Sequence, residues 1–356
     1  MQFKLNLVWP GRVILFSTIA LLMLSNVLGQ SVHDSEDSHS KEMRQMWQNF
    51  VKRRPQRQVK VARLPKPEPK SEPKSEPKPS ANNPVDKATI SEAETQPGEE
   101  EPKPDYKVAS ASIPDQGQDL GITIWRLRPS QQSDASNVKQ GINNKRLRHN
   151  WGSASGDITY LTAERVETNT PLRDGEMVQL SVEASQDCFV YVIDREQYSI
   201  GSKITHGAPY LIFPTMRTNK GYNRTGPGTV INLPSMADDP PFFSLERSAQ
   251  NHIGEEITFV VSPSPIAELS GISDQTEMAE EQFQTLQMWA AQTGRIELVG
   301  GAGRAQTSEE AEAAKFSAND NAKRLKYNSP MPQSIFRVAR KADEPFIVTI
   351  LLRFAP

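Results

Sequence analysis

Three features of the sequence predict a mainly β chain, folded as an immunoglobulin-like antiparallel β-sandwich. The first is Asp187-Cys-Phe-Val-Tyr-Val-Ile-Asp194, six apolar residues between two aspartates. A run of β-prone residues that is apolar at every position suits a strand covered on both faces. The second is the set of short β-prone runs at residues 175–183, 210–213, 229–233 and 256–261, each bounded by Gly, Pro, Asn, Asp or Ser. That is the spacing of a small sandwich. The third is composition: the charged, proline-rich first third lacks the apolar content to bury a core, so about the last two hundred residues form one domain. A C-terminal addition of two helices and a β-hairpin, and a long disordered arm before the sandwich, complete the expected architecture.

The chain begins with Lys4 and Arg12 ahead of the apolar run from Val13 to Leu24, followed by Val27-Leu-Gly29. A basic start, a short apolar core and small residues before the cut describe a secretory signal peptide over residues 1–29, cleaved after Gly29. The run is short for a spanning helix, which needs about 20 apolar residues, and an uncleaved anchor is the alternative. Export to the periplasm or cell envelope, or secretion, is the expected location. Across its 356 residues the formal net charge is −2, which does not mark a nucleic-acid binder. Cys188 is the only cysteine, so it forms no intramolecular disulfide, and its place in the central strand predicts a buried small hydrophobe.

Residues 30–64 form a basic arm. Within it Met43, Met46, Trp47, Phe50 and Val51 fall at i, i+3, i+4, i+7 and i+8, one stripe of a helix. Lys52, Arg53 and Arg54 follow, and Lys41, Arg44, Arg57, Lys60 and Arg63 extend the positive charge. A basic amphipathic helix is expected to meet an anionic membrane surface through residues 41–63, or a partner's groove. The bland reading is a short frayed helix in a disordered arm. Residues 65–119 read as a Pro/Glu/Lys-rich linker with Glu-Pro-Lys-Ser repeats, extended in polyproline II and serving as a tether. Its composition resembles the Glu-Pro/Lys-Pro spacer of TonB-type envelope proteins.

Order is expected from residue 120 to residue 356. Ile122-Thr-Ile-Trp-Arg-Leu-Arg128 is β-prone, residues 130–151 read as a polar loop, and Tyr160-Leu-Thr-Ala-Glu-Arg-Val166 reads as the next strand. Then come Leu172-Arg-Asp-Gly-Glu-Met-Val-Gln-Leu-Ser-Val, the central strand, Leu211-Ile-Phe-Pro214, Ile231-Asn-Leu-Pro234 and Gly254-Glu-Glu-Ile-Thr-Phe-Val-Val-Ser262. This succession resembles a bacterial domain of unknown function, number 4384, over residues 163–265. Thr215 stands where that family usually has Asn. The resemblance implies a β-sandwich on an exported protein, an accessory role beside catalytic domains, and no known active site.

Beyond residue 265 the period changes to that of a helix, with Ala279, Phe283, Leu286 and Ala290 on one stripe, Met278 and Trp289 flanking it, and Gly294 as C-cap. Residues 295–299 read as a short strand. Thr307 and Glu310 form a capping box for a second helix over residues 311–316. Residues 334–340 and 345–354 read as a terminal hairpin.

Motifs for chemistry are sparse. The five histidines, His33, His39, His149, His206 and His252, include no pair at the i, i+4 spacing of a zinc helix. Gly152-Ser-Ala-Ser-Gly156 has Ala154 where a nucleophile elbow needs its serine. Gly300-Gly-Ala-Gly303 reads as a turn, lacking the Gly-Lys-Ser/Thr ending of a phosphate loop. Asp187 and Asp194 lie about 23 Å apart on an extended strand, too far to share a proton, and read as strand ends. One loop region, carrying His206, Tyr210, Arg217, Lys220, Tyr222 and Arg224, combines aromatics with cations as a ligand-binding surface would. These readings lead to a non-enzymatic interaction domain whose partner is an unknown protein or envelope polymer, with no cofactor. The alternatives are an envelope-polymer hydrolase whose carboxylates are brought together by the fold, and a structural spacer.

Overall fold

The computed structural model describes residues 45–46, 48–54, 104–110, 112–143, 158–272, 274–314 and 324–356. The signal peptide, Met43, Trp47, most of the proline-rich stretch and the Gly152-Ser-Ala-Ser-Gly156 motif lie outside these residues.

The described strands form two antiparallel sheets. The first contains β1 (Tyr106–Val108), β2 (Gln118–Pro129), β3 (Lys139–Asn143), β4 (Ile158–Val166), β5 (Glu176–Ala184), β10 (Ile231–Leu233), β11 (Phe243–Leu245), β14 (Thr293–Leu298) and β15 (Ser334–Val338). The second contains β6 (Cys188–Ile200), β7 (Lys203–His206), β8 (Tyr210–Phe213), β9 (Arg224–Thr225), β12 (His252–Ser262), β13 (Thr276–Glu277) and β16 (Phe346–Arg353). Their facing surfaces enclose the main core: Leu120, Ile122 and Ile124 of β2 and Val178, Leu180 and Val182 of β5 meet Val190 and Val192 of β6 and Phe259 of β12. The predicted β-sandwich is therefore the fold.

β6 explains why a strand can be apolar throughout. Val190 and Val192 enter the main core, while Tyr191 and Ile193 enter a second cluster on the opposite face with Phe283 and Leu286. Those two residues belong to α2 (Glu280–Gln287), so the second sheet is covered outside by a helix. That helix stops before Gly294. Rather than capping it, Gly294 lies within β14, where an added Cβ would come within 2.5 Å of the Ile113 Cα. The capping box at Thr307 and Glu310 is present and starts α3 (Ser308–Ala313).

Two further expectations are corrected. The terminal segments do not form a hairpin: β15 pairs with β14 and β2 in the first sheet, whereas β16 pairs with β12 in the second. Both segments are buried and apolar enough to enter the core, and the connection between them crosses the sandwich. The polar segment after β2 is not all loop, since β3 pairs with β4.

The fold also reaches further toward the N-terminus than residue 120. Residues 45–46 and 48–53 are helical (α1), and β1 pairs with β14. Met46, Phe50 and Val51 are at most 1% exposed and pack with Tyr106, Ile296, Leu298, Met331 and Ile335 on the outer face of the first sheet. Three residues of the apolar stripe, Met46, Phe50 and Val51, thus pack within the chain; Met43 and Trp47 lie outside the described residues. Gly121 permits the close approach, for a Cβ there would lie 3.0 Å from the Phe50 ring. Of the basic residues after the stripe, Lys52 and Arg53 are exposed, Arg53 donating to the Ser185 hydroxyl at 2.9 Å. Arg54 is buried in a two-pronged pair with Glu183, at 2.8 and 2.6 Å. Its guanidinium also donates to the Ser329 and Pro330 carbonyls, and the Gly228 N–H donates to Glu183. The helix and the sandwich belong to one compact unit, from which residues 57–104 are set apart. Both flanks of the proline-rich stretch therefore attach to that unit.

Candidate functional site

Two places in the fold gather polar groups. The first is a cleft of about 530 Å³ beside β3 and α3. Its wall includes Asn137, Gln140, Asn219, Asn232 and Gln306, with Lys220, Tyr222 and Met236. The turn that carries Asn219 and Lys220 holds both at positive φ (52° and 53°), a region that costs a side chain energy unless the surroundings fix it. They are fixed here: the Asn219 N–H donates to Asp238 at 3.0 Å, its side chain donates to the Tyr222 carbonyl at 2.7 Å, and the Gly221 N–H donates to the Thr215 carbonyl at 2.8 Å. Asp238, the acid on this wall, has its second oxygen on the Ser235 N–H at 2.7 Å. Both its oxygens hold turns, so it is poorly placed as a general base. Gln140 and Gln306 face one another across 3.5 Å, which leaves the Gln140 Oε1 and the Gln306 Nε2 without a partner among the described residues.

The expected ligand loop divides. Lys220 and Tyr222 line the cleft. Tyr210 opens β8, exposed, its hydroxyl donating to Glu277 at 3.0 Å. Arg217 forms an exposed pair with Asp274 at 3.1 Å, and Arg224 opens β9 opposite Phe189. His206 sits 3.3 Å from Glu256 on the outer face of the second sheet.

The second place is a carboxylate cluster that the sequence reading missed. Asp194 does not end its strand; β6 runs on to Ile200. Its second half alternates, so Asp194, Glu196 and Tyr198 continue the inward face begun by Val190 and Val192. On the neighbouring strand, Glu255 lies opposite Glu196 and Ile257 opposite Asp194. A β-bulge between His252 and Gly254 shifts the register by one residue and puts His252 opposite Tyr198, on this same face. Gly254 is needed there, since a Cβ would come 2.4 Å from the Leu352 carbonyl oxygen.

Asp194 and Glu255 lie diagonally across the β6–β12 pairing, close enough for each to act on the other's charge. Burial and the neighbouring acids push Glu255 up to about 8, and burial with the Glu196 charge pushes Asp194 up to about 6. The imidazole of His252 is fully buried, edge-on to Phe354. Its Nδ1 accepts from the Ser248 N–H at 3.1 Å, so its Nε2 carries the hydrogen, donated to the Gly254 carbonyl at 3.0 Å. None of the described cavities is lined by Asp194, Glu196, His252 or Glu255.

Compared with known proteins, the chain matches no family model, no curated protein and no solved structure.

Proposed function

We propose that this chain is an exported, non-enzymatic interaction domain of the bacterial cell envelope that binds an uncharged oligomer bearing hydroxyl or amide groups. The observation that carries the reading is the cleft wall, where an amide acceptor on Gln140 and an amide donor on Gln306 lack partners among the described residues, beside Tyr222. Side-chain amides next to an aromatic ring suit a polymer with many hydroxyl or amide groups and little charge. The N-terminal signal pattern supports export, and the resemblance to an accessory domain agrees with a binding role.

The hydrolase alternative draws on Asp194, Glu196 and Glu255, which do converge. Their geometry argues against it. A glycosidase separates its two carboxyl groups by about 5 Å or more, with the substrate between them. Carboxylate oxygens of Glu196 and Glu255 lie within 4.8 Å of one another and Asp194 is close enough to act on the Glu255 charge, so the three are packed tighter than that spacing. Among the described residues no helix is long and apolar enough to cross a membrane. Met46, Phe50 and Val51 of α1 pack on the sandwich, so that part of the arm serves the fold.

Solubilised envelope glycan and peptide fragments, titrated by calorimetry into the full-length protein, test the reading. Binding should weaken about tenfold in Tyr222→Ala or Gln306→Ala, the equivalent of ~1.4 kcal/mol for one lost contact. The proposal fails if no fragment binds, or if both variants bind as the wild type does.

A further inference from the structure

We infer that Asp194, Glu196, His252 and Glu255 form a binding site for a divalent transition-metal ion. The argument starts from charge. Three carboxyl groups meet on one inward face, yet among the described residues no lysine or arginine lies within ion-pair distance of Asp194 or Glu255. Arg195, next to Asp194 in the chain, turns to the other face and pairs with Glu280, and Arg247 stacks on Phe354 and bonds the Ala355 carbonyl. The other buried acids of this sandwich are satisfied in different ways: Glu183 has Arg54, Asp119 has Arg337 and Glu310 has Arg165, while Asp238 accepts two backbone N–H groups and Glu297 accepts from the Thr168 and Ser334 hydroxyls. Buried carboxylates without a cation are costly; a proton neutralises one carboxyl at a time, whereas a single metal ion neutralises two together.

A second, independent observation points to a ligand. Glu255 is 9% exposed, and its Oε2 has no hydrogen-bond partner; the buried Oδ1 of Asp194 has none either. Carboxylate oxygens of Glu196 and Glu255 and a ring nitrogen of His252 already lie within 4.8 Å of one another. Ligand atoms around an ion bound at about 2.1 Å lie within roughly 4 Å of each other, so the set closes when the Glu255 side chain swings from the Nε2 side of the ring toward Nδ1, with Asp194 beside it. Glu196 leaves a way in, since its side chain is 40% exposed.

The histidine is prepared as metal-bound histidines are. Its Nε2–H is given to the Gly254 backbone carbonyl, with a Glu255 oxygen 3.4 Å from the same nitrogen, which fixes the tautomer and leaves the lone pair on Nδ1, 4.0 Å from a Glu196 oxygen. In this structure the Ser248 N–H and hydroxyl share that lone pair, at 3.1 and 3.2 Å. An ion would take their place. The Tyr198 hydroxyl donates to the other Glu196 oxygen at 2.6 Å, an outer contact that orients a ligating carboxylate. An imidazole beside carboxylates selects zinc or manganese over the oxygen-seeking calcium and magnesium.

The test uses the full-length protein, stripped with chelator and dialysed against Zn²⁺ or Mn²⁺ alone. Metal analysis should find about one equivalent retained, with a raised Tm, and Mg²⁺ or Ca²⁺ should bind more weakly. Glu255→Gln keeps the shape and lets an amide donate to Asp194, so it should fold while losing at least about 100-fold in affinity. Asp194→Asn is the second such variant and decides the matter if the first does not fold. His206→Ala, on the opposite face of the sheet, should bind as the wild type does. Absence of retained metal in the wild type overturns the inference. So does metal that survives both carboxylate substitutions, or metal lost with His206.

Discussion

Two residues show how local surroundings set chemistry in this fold. Cys188 opens the central strand at 1% exposure, and burial pushes its thiol up to about 12. The thiolate is the reactive species, so a thiol reagent at pH 8 should leave folded protein unlabelled and modify it fully in denaturant. Labelling of native protein at the rate of a free thiol would show that the strand end is open. Asp134 is the opposite case. The Arg128 guanidinium grips it at 2.8 and 2.9 Å, and the Gln131 N–H and Thr162 hydroxyl also donate to it, holding its carboxyl well below the usual range. A carboxyl depressed by folding contributes stability above its unfolded pKa of about 3.9, and that contribution is lost as the pH falls toward the folded value. Asp134→Asn should therefore melt below the wild type at pH 7, with the gap closing below about pH 4. A gap that stays constant with pH would assign the effect to shape, not charge. Asp194 and Glu255 mark the limit of sequence reading at this scale. Each stands beside charged neighbours that read as solvated, and only the pairing of β6 with β12 turns them inward together, while a bulge that no residue pattern announces brings His252 to the same face.

Elements were legible where their pattern was decided locally. The continuous apolar run of β6, the capping box of α3 and the alternating runs of β5 and β12 all lie where residue order places them. What failed was assignment of partners. The segments of β15 and β16 have the composition of a hairpin, yet each finds a deeper place in a different sheet. Met46, Phe50 and Val51 of α1 pack on a sheet, which requires the same apolar face as a membrane surface or a groove. The end of α1 is fastened by the Arg54–Glu183 pair, at 2% and 4% exposure. Removing one partner of a buried pair leaves the other charged and unsolvated, at a cost of about 3–5 kcal/mol. Arg54→Ala should lower the urea midpoint accordingly. Arg54→Met combined with Glu183→Leu should recover much of it, since two apolar groups of similar volume need no partner. Were the single and double variants equally unstable, packing alone would hold this end of the helix.

At the scale of the whole molecule, attachment of α1 changes what the proline-rich stretch connects. Read from composition, residues 65–119 are a tether between an N-terminal arm and a separate domain. With α1 on the sandwich and β1 paired to β14, both flanks of that stretch are attached to the same compact unit. Cutting the stretch should therefore leave two pieces that stay together. A specific protease site inserted between residues 80 and 95 of the full-length protein provides the test. Met46, Phe50 and Val51 each contribute about 1.5–3 kcal/mol of burial, and the Arg54–Glu183 pair opposes release because both charges would lose their partner. After cleavage the N-terminal piece should co-elute with the sandwich in size-exclusion chromatography and separate only in denaturant. Dilution should eventually release it, since the uncut chain holds the helix at an effective concentration in the millimolar range and the cut one does not. Phe50→Ser should release it at once by putting a hydroxyl into the space beside Gly121 and Ile335. If the unmodified helix separates as soon as the chain is cut, its contact with the sheet is weak, and the stretch is a tether after all.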